Sequence, residues 1–172
     1  MEKKVRLVIY ASLAVILLSF GLLAIPQFIV PTLEKNVDSI PSFSGYQFFF
    51  NAVSDHIKNN IGMSHVSGLG IASIILMVLA LCSYVFAKKS SALVMLGGLL
   101  NVATSVLFFA MEASKKSVFT KYSLYAVGWV SYLIGALLVL SGLVSICFAF
   151  RMMQSEKKVI ASKSSYSYIK KN

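Results

Sequence analysis

Four long apolar runs, separated by polar or basic stretches, set the pattern of this chain. Val5 to Ile25, His65 to Ala87, Ser91 to Ala113 and Tyr122 to Phe150 each reach the length of about 20 residues that an α-helix needs to cross a bilayer, and none carries a charge at mid-depth. The pattern predicts an all-α membrane protein: a four-transmembrane-helix bundle over residues 1–150, followed by a basic tail from Arg151 to Asn172. Lys88 and Lys89 close the second run just before the third begins, which predicts an antiparallel helical hairpin. The first run exceeds a secretory h-region of about 7–15 residues, and LLAIPQ is a poor cleavage site, so it reads as a first span, with an uncleaved signal peptide as the alternative. The fourth exceeds span length and is expected to tilt or to project beyond the hydrocarbon.

Between the first two runs lies the longest polar connection, Gln27 to Ser64, with Pro31 and Pro41 favouring extended backbone. Within it Tyr46, Phe49, Phe50, Val53 and Ile57 recur at i, i+3, i+4, i+7 and i+11. That spacing predicts an external amphipathic helix over residues 45–60. Ser44 and Gln47 stand at capping-box spacing, Phe43 and Phe48 at the positions of a hydrophobic staple, and Asn59, Asn60 and Gly62 supply a stop. The five apolar residues are the expected contact surface, whether for lipid, for the ends of the bundle itself or for a partner.

Lipid tails give helices no hydrophobic reason to associate, so small residues mark the packing faces. Gly128, Gly135 and Gly142 repeat every seven residues, with Ser131 and Ser145 on the same stripe, and predict a left-handed seam. Gly70, Ser73, Met77, Ala80 and Ala87 give the second run a matching face, as do Gly97, Asn101, Ser105, Phe108 and Glu112 in the third. Asn101 is the strongly polar side chain at mid-depth and must find a partner. It either hydrogen-bonds between helices or marks a transport path, and the absence of intramembrane charge favours the former.

Composition agrees with the membrane reading: 58% of residues are hydrophobic and 13% charged, where soluble domains have roughly 45–50% and about 25%. The net charge of +10 would raise nucleic acid as a partner in a soluble protein. Here the basic residues flank apolar runs, so they read as topology signals and as contacts to anionic lipid, with no nucleic acid implied. Placing both termini and the Lys88 turn in the cytoplasm puts eleven basic residues inside and five outside. The expectation is therefore a multi-pass protein of the cytoplasmic membrane, although Lys115, Lys116 and Lys121 fall outside. Glu112 is expected to pair locally with Lys115 and Lys116, with proton coupling as the alternative. Phe119, Tyr122, Tyr125 and Trp129 form an aromatic belt.

Little in the chain points to chemistry. Asp38, Asp55 and His56 share the long connection and His65 borders it, but their spacing matches no metal or general-base motif, and HExxH, GxSxG and P-loop patterns are absent. Cys82 and Cys147 lie in apolar runs and are expected to pack as small apolar residues. The reading is non-enzymatic, with no catalytic residue, metal or cofactor assigned.

The order of long outer loop, short inner turn, short second outer loop and basic tail resembles the layouts of claudins and tetraspanins, but GLW with its two following cysteines and the CCG motif are both missing. SGYQFFF at Ser44 to Phe50 resembles a Ser-Gly-aromatic stretch in the first outer loop of small four-span bacterial membrane proteins with no assigned activity. That resemblance implies a bacterial cytoplasmic membrane. The expected role is that of an accessory, scaffold or immunity-type membrane protein that meets another membrane protein or itself; the alternative is a small transporter or channel subunit.

Overall fold

Small and apolar residues at alternating spacings of three and four decide how the long helices meet. The computed structural model describes residues 2–29, 42–52, 66–87, 90–111 and 126–169. In chain order its elements are α1 (Glu2–Leu22), β1 (Pro26–Ile29), β2 (Ser42–Ser44), α2 (Gly45–Phe49), α3 (Gly68–Ala87), α4 (Ser91–Phe109), β3 (Ala126–Val127) and α5 (Trp129–Ile169). Among the described residues four stretches are long and apolar enough to cross a membrane: Lys3–Leu22, Gly68–Ala87, Ser91–Phe109 and Trp129–Lys157, with mean hydropathy from 2.0 to 2.5. The protein is a multi-pass membrane protein with a short helix between its first and second spans.

Each span turns one stripe inward. Val5, Ile9, Ser12, Ile16, Ser19 and Leu23 are buried along α1 and its end, and Gly70, Ser73, Met77, Ala80, Tyr84 and Ala87 along α3. On α4 the buried set includes Val94, Gly97, Asn101, Thr104, Ser105 and Phe108. On α5 Ser131, Gly135, Leu138, Gly142, Ser145, Ala149 and Met152 keep the same heptad beat. A repeat of 3.5 residues keeps such a stripe facing its neighbours along the whole span. Leu17, Phe86, Leu99 and Leu140 point outward, where acyl chains replace water. In spatial order α1 adjoins α3, α3 adjoins α4, α4 adjoins α5, and α5 returns to α1.

The tightest approach is between α4 and α5. A Cβ placed on Gly142 would lie 2.7 Å from the Gly98 carbonyl oxygen, and one on Gly98 would lie 2.9 Å from that of Gly142. The two glycines let the backbones touch, which is how helices gain dispersion energy where lipid offers no hydrophobic drive.

Three expectations change. Of the helix expected over residues 45–60, the described part is α2, Gly45–Phe49, which ends where Phe50 leaves helical geometry and Asn51 takes φ 53°; residues 53–60 lie outside the described residues. Asparagine tolerates this left-handed conformation better than most residues and so ends helices. Second, the connections contribute a three-stranded antiparallel sheet in the order β2-β1-β3, with Phe28 opposite Phe43 and Val127. Pro26 is tolerated there as the first residue of its strand. Third, α5 starts at Trp129 and continues through Arg151 to Ile169, so the basic tail extends the fourth span as helix. From Arg151 to Ile169 it contains no Gly or Pro to stop it.

Candidate functional site

Two features stand apart from ordinary helix packing: a cap at the end of the bundle that carries the sheet, and a polar cluster between the spans.

The cap is built from the outset of α2. The Gln47 N–H donates to Ser44 Oγ at 3.3 Å and the Ser44 N–H donates to Gln47 Oε1 at 3.0 Å, a reciprocal capping box. Tyr46 donates its hydroxyl to the Phe20 carbonyl at 2.8 Å, satisfying an acceptor in the last turn of α1 that has no partner further along its own helix. Burial raises the Tyr46 pKa above its ordinary value. Phe48 and Phe49 are fully buried. The Phe49 ring lies 6.3 Å from that of Phe108 on α4 and covers Gly70 on α3, where any Cβ would collide with it. Phe48 meets Phe49 edge-on at 6.1 Å.

Thus Phe49 faces the bundle, Tyr46 is half-buried against α1, and Phe50 is 51% exposed. The predicted apolar face splits because Phe50 sits at the C-cap, where the chain has left the helix. Val53 and Ile57 lie outside the described residues.

Between the spans, Ser12 on α1 and Ser145 on α5 are 3.0 Å apart, Oγ to Oγ. Tyr84 on α3 donates its hydroxyl to Ser145 Oγ at 2.8 Å. Asn101 on α4 donates through Nδ2 to Tyr84 Oη and to Ser141 Oγ, each at 3.4 Å. One connected set therefore joins all four spans. Tyr84 crosses the diagonal of the bundle, and the floor under its ring is Gly97, where a Cβ would come within 2.8 Å. Asn101 Oδ1 is buried and accepts no hydrogen bond among the described residues. Other buried hydroxyls bond their own helix: Ser73 to Leu69, Ser83 to Leu79 and Thr104 to Leu100, each at 2.8 Å.

Among the described residues the cluster holds hydroxyl and amide groups without a carboxylate, amine or imidazole. Such groups orient helices and form no nucleophile–base pair. Of the residues expected to pack helices, Gly142 meets Gly98, Gly135 faces the Phe109 ring, from which an added Cβ would stand 3.0 Å, and Gly128 is half-buried just before α5. Tyr84, Ser12 and Ser141 were not singled out by the glycine and small-residue pattern. Their signal was nonetheless present: Tyr84 is four residues after Ala80 and seven after Met77, on the same stripe.

Asp38, Asp55, His56, His65, Glu112, Lys115, Lys116, Lys121, Phe119, Tyr122 and Tyr125 lie outside the described residues. Trp129 is 70% exposed at the sheet end. Cys82 and Cys147 are free and face outward from the bundle. No protein-family model and no curated protein matches the chain.

Proposed function

We propose that this protein is a non-enzymatic accessory, scaffold or immunity-type protein of the cytoplasmic membrane, with both termini inside, acting through its outer cap and its helix faces. The observation that carries this reading is the division of labour in the cap: Phe48 and Phe49 anchor it in the bundle, while Phe50 stands exposed beside them. A rigid mount with an apolar tip suits contact with another membrane protein, since aromatic anchors dominate such interfaces. The polar cluster supports the same reading because its donors are committed to interhelical bonds. A photo-reactive residue at Phe50, activated in native membranes, should capture a discrete protein neighbour. Lipid adducts alone, equal to those from the outward-facing Leu99, would contradict the proposal.

A second reading, a small transporter or channel subunit acting as an oligomer or with a partner, draws on one observation, the buried Asn101 Oδ1 that accepts no hydrogen bond among the described residues. It requires purified protein in liposomes to carry a flux that Asn101→Leu reduces. No flux above empty liposomes across small ions and sugars would remove it.

A further inference from the structure

At the end of the bundle opposite the sheet, two shallow grooves share a wall. The first, about 290 Å³, lies where α1 meets α5 and is lined by Lys4, Phe148, Arg151 and Met152. The second, about 310 Å³, is lined by Leu143, Val144, Cys147, Phe148 and Arg151. Phe148 and Arg151 line both. We propose that the pair binds one anionic diacyl phospholipid, with its phosphate between Lys4 and Arg151 and its acyl chains on either side of Phe148.

Four observations converge on that ligand. Apart from the two cations, the described residues that line the grooves are apolar, which fits hydrocarbon better than a peptide backbone. Lys4 immediately precedes the apolar run that begins at Val5, and Arg151 immediately follows the one that ends at Phe150. The two helices run in opposite directions, so both cations stand at the level where phosphates border the hydrocarbon. Both side chains are exposed, and neither is bonded to a carboxylate among the described residues. Lastly, one cationic edge serving two grooves matches one headgroup carrying two chains. The guanidinium grips phosphate oxygens in a fork, and the ammonium adds a point charge.

The test is native mass spectrometry of the full-length protein titrated with dioleoyl phosphatidylglycerol, dioleoyl phosphatidylcholine, the lyso form of the former and inorganic phosphate. The wild type should retain the diacyl anionic lipid over the zwitterionic one by roughly 25-fold, about fivefold for each cation. Lys4→Gln with Arg151→Gln should erase that preference while leaving phosphatidylcholine binding and monodispersity unchanged. Lys157→Gln, exposed farther along α5 and outside both grooves, should keep the affinity within about twofold. Cys147→Trp should weaken the diacyl lipid more than its lyso form, because it fills one groove. Equal retention of the two diacyl lipids overturns the proposal. So does a loss from Lys157→Gln as large as that from Arg151→Gln, which would mean diffuse attraction, or displacement by inorganic phosphate alone, which would mean an anion site without chain recognition.

Discussion

Alanine at Gly142 tests whether backbone contact between α4 and α5 holds the bundle. The added Cβ would sit 2.7 Å from the Gly98 carbonyl oxygen and 3.2 Å from the Val102 nitrogen. Both are backbone atoms, so the helices must separate. A gap of 0.5–1 Å forfeits about a quarter to a half of each dispersion well along the contact, and overpacked sites usually cost about 1–3 kcal/mol. Gly142→Ala is therefore expected to destabilise by about 2 kcal/mol. Two internal standards bracket it. At Gly135 the nearest atoms, from 3.0 Å, belong to the Phe109 ring, a side chain that can turn aside, so alanine should cost less than about 1 kcal/mol. At Gly21 nothing lies within 4 Å, and alanine should range from neutral to about 1 kcal/mol stabilising through helix propensity. Reversible unfolding in mixed detergent micelles, followed by circular dichroism, gives the ranking. If Gly142→Ala falls within about 0.3 kcal/mol of Gly21→Ala, the close-approach argument is wrong.

Phe49→Ala removes a fully buried ring, a change that costs about 3–5 kcal/mol in well-packed cores, so the cap should undock and its amides should exchange faster, whereas Phe50→Ala should stay within about 0.5 kcal/mol of wild type. Tyr84→Phe removes one donor and one acceptor; at about 0.6 kcal/mol for an average intramembrane bond and at most about 1.7, unfolding should show a loss of about 1–2 kcal/mol, about half of which should remain when Ser145→Ala is already in place because the bond from Asn101 is still there to lose. The raised pKa of Tyr46 means that the folded cap favours the neutral phenol. Its contribution is complete below the ordinary value of 10.0 and fades as pH rises through the raised one, so an ultraviolet titration should show a late-ionising tyrosine that Tyr46→Phe abolishes; cap release near neutrality would refute this. A reporter active only outside the cytoplasm, fused after Asn172, should be silent, and its activity would overturn the threading.

The spans were legible because their pattern is long and repetitive. Gly70, Ser73, Met77, Ala80 and Ala87 are readable as a face from spacing alone, and all are buried in α3. Asn101 was readable as a residue that needs a partner, but the partner was not, since Tyr84 lies on another helix and reaches across the diagonal to Ser145. Spacing ranks small residues as contact points and passes over a tyrosine. A large side chain can hold a seam position only where a glycine such as Gly97 faces it, and that pairing exists only in three dimensions. Ser12 escaped for a similar reason: its beat with Val5, Ile9, Ile16 and Ser19 was hidden in a run apolar on every side.

The short elements failed differently. Apolar spacing runs on past Phe49, yet α2 ends there and Asn51 turns into the left-handed region; Val53 and Ile57 lie outside the described residues. The sign was the asparagine itself, which periodicity does not weigh. Strands of two to four residues are too short for an alternation to register, and their pairing joins segments far apart in the chain.

Hydroxyl and amide groups inside the bundle bind helices to one another, and groups so committed are expected to line no aqueous path. Ser145 stands at the middle of that set, and cysteine is nearly its isostere. In a background with Cys82→Ala and Cys147→Ala, a thiol introduced by Ser145→Cys should resist a small membrane-impermeant reagent applied from either side of sealed vesicles, and react fully once the protein is denatured. Labelling in the intact membrane would place water at the heart of the bundle and contradict the account.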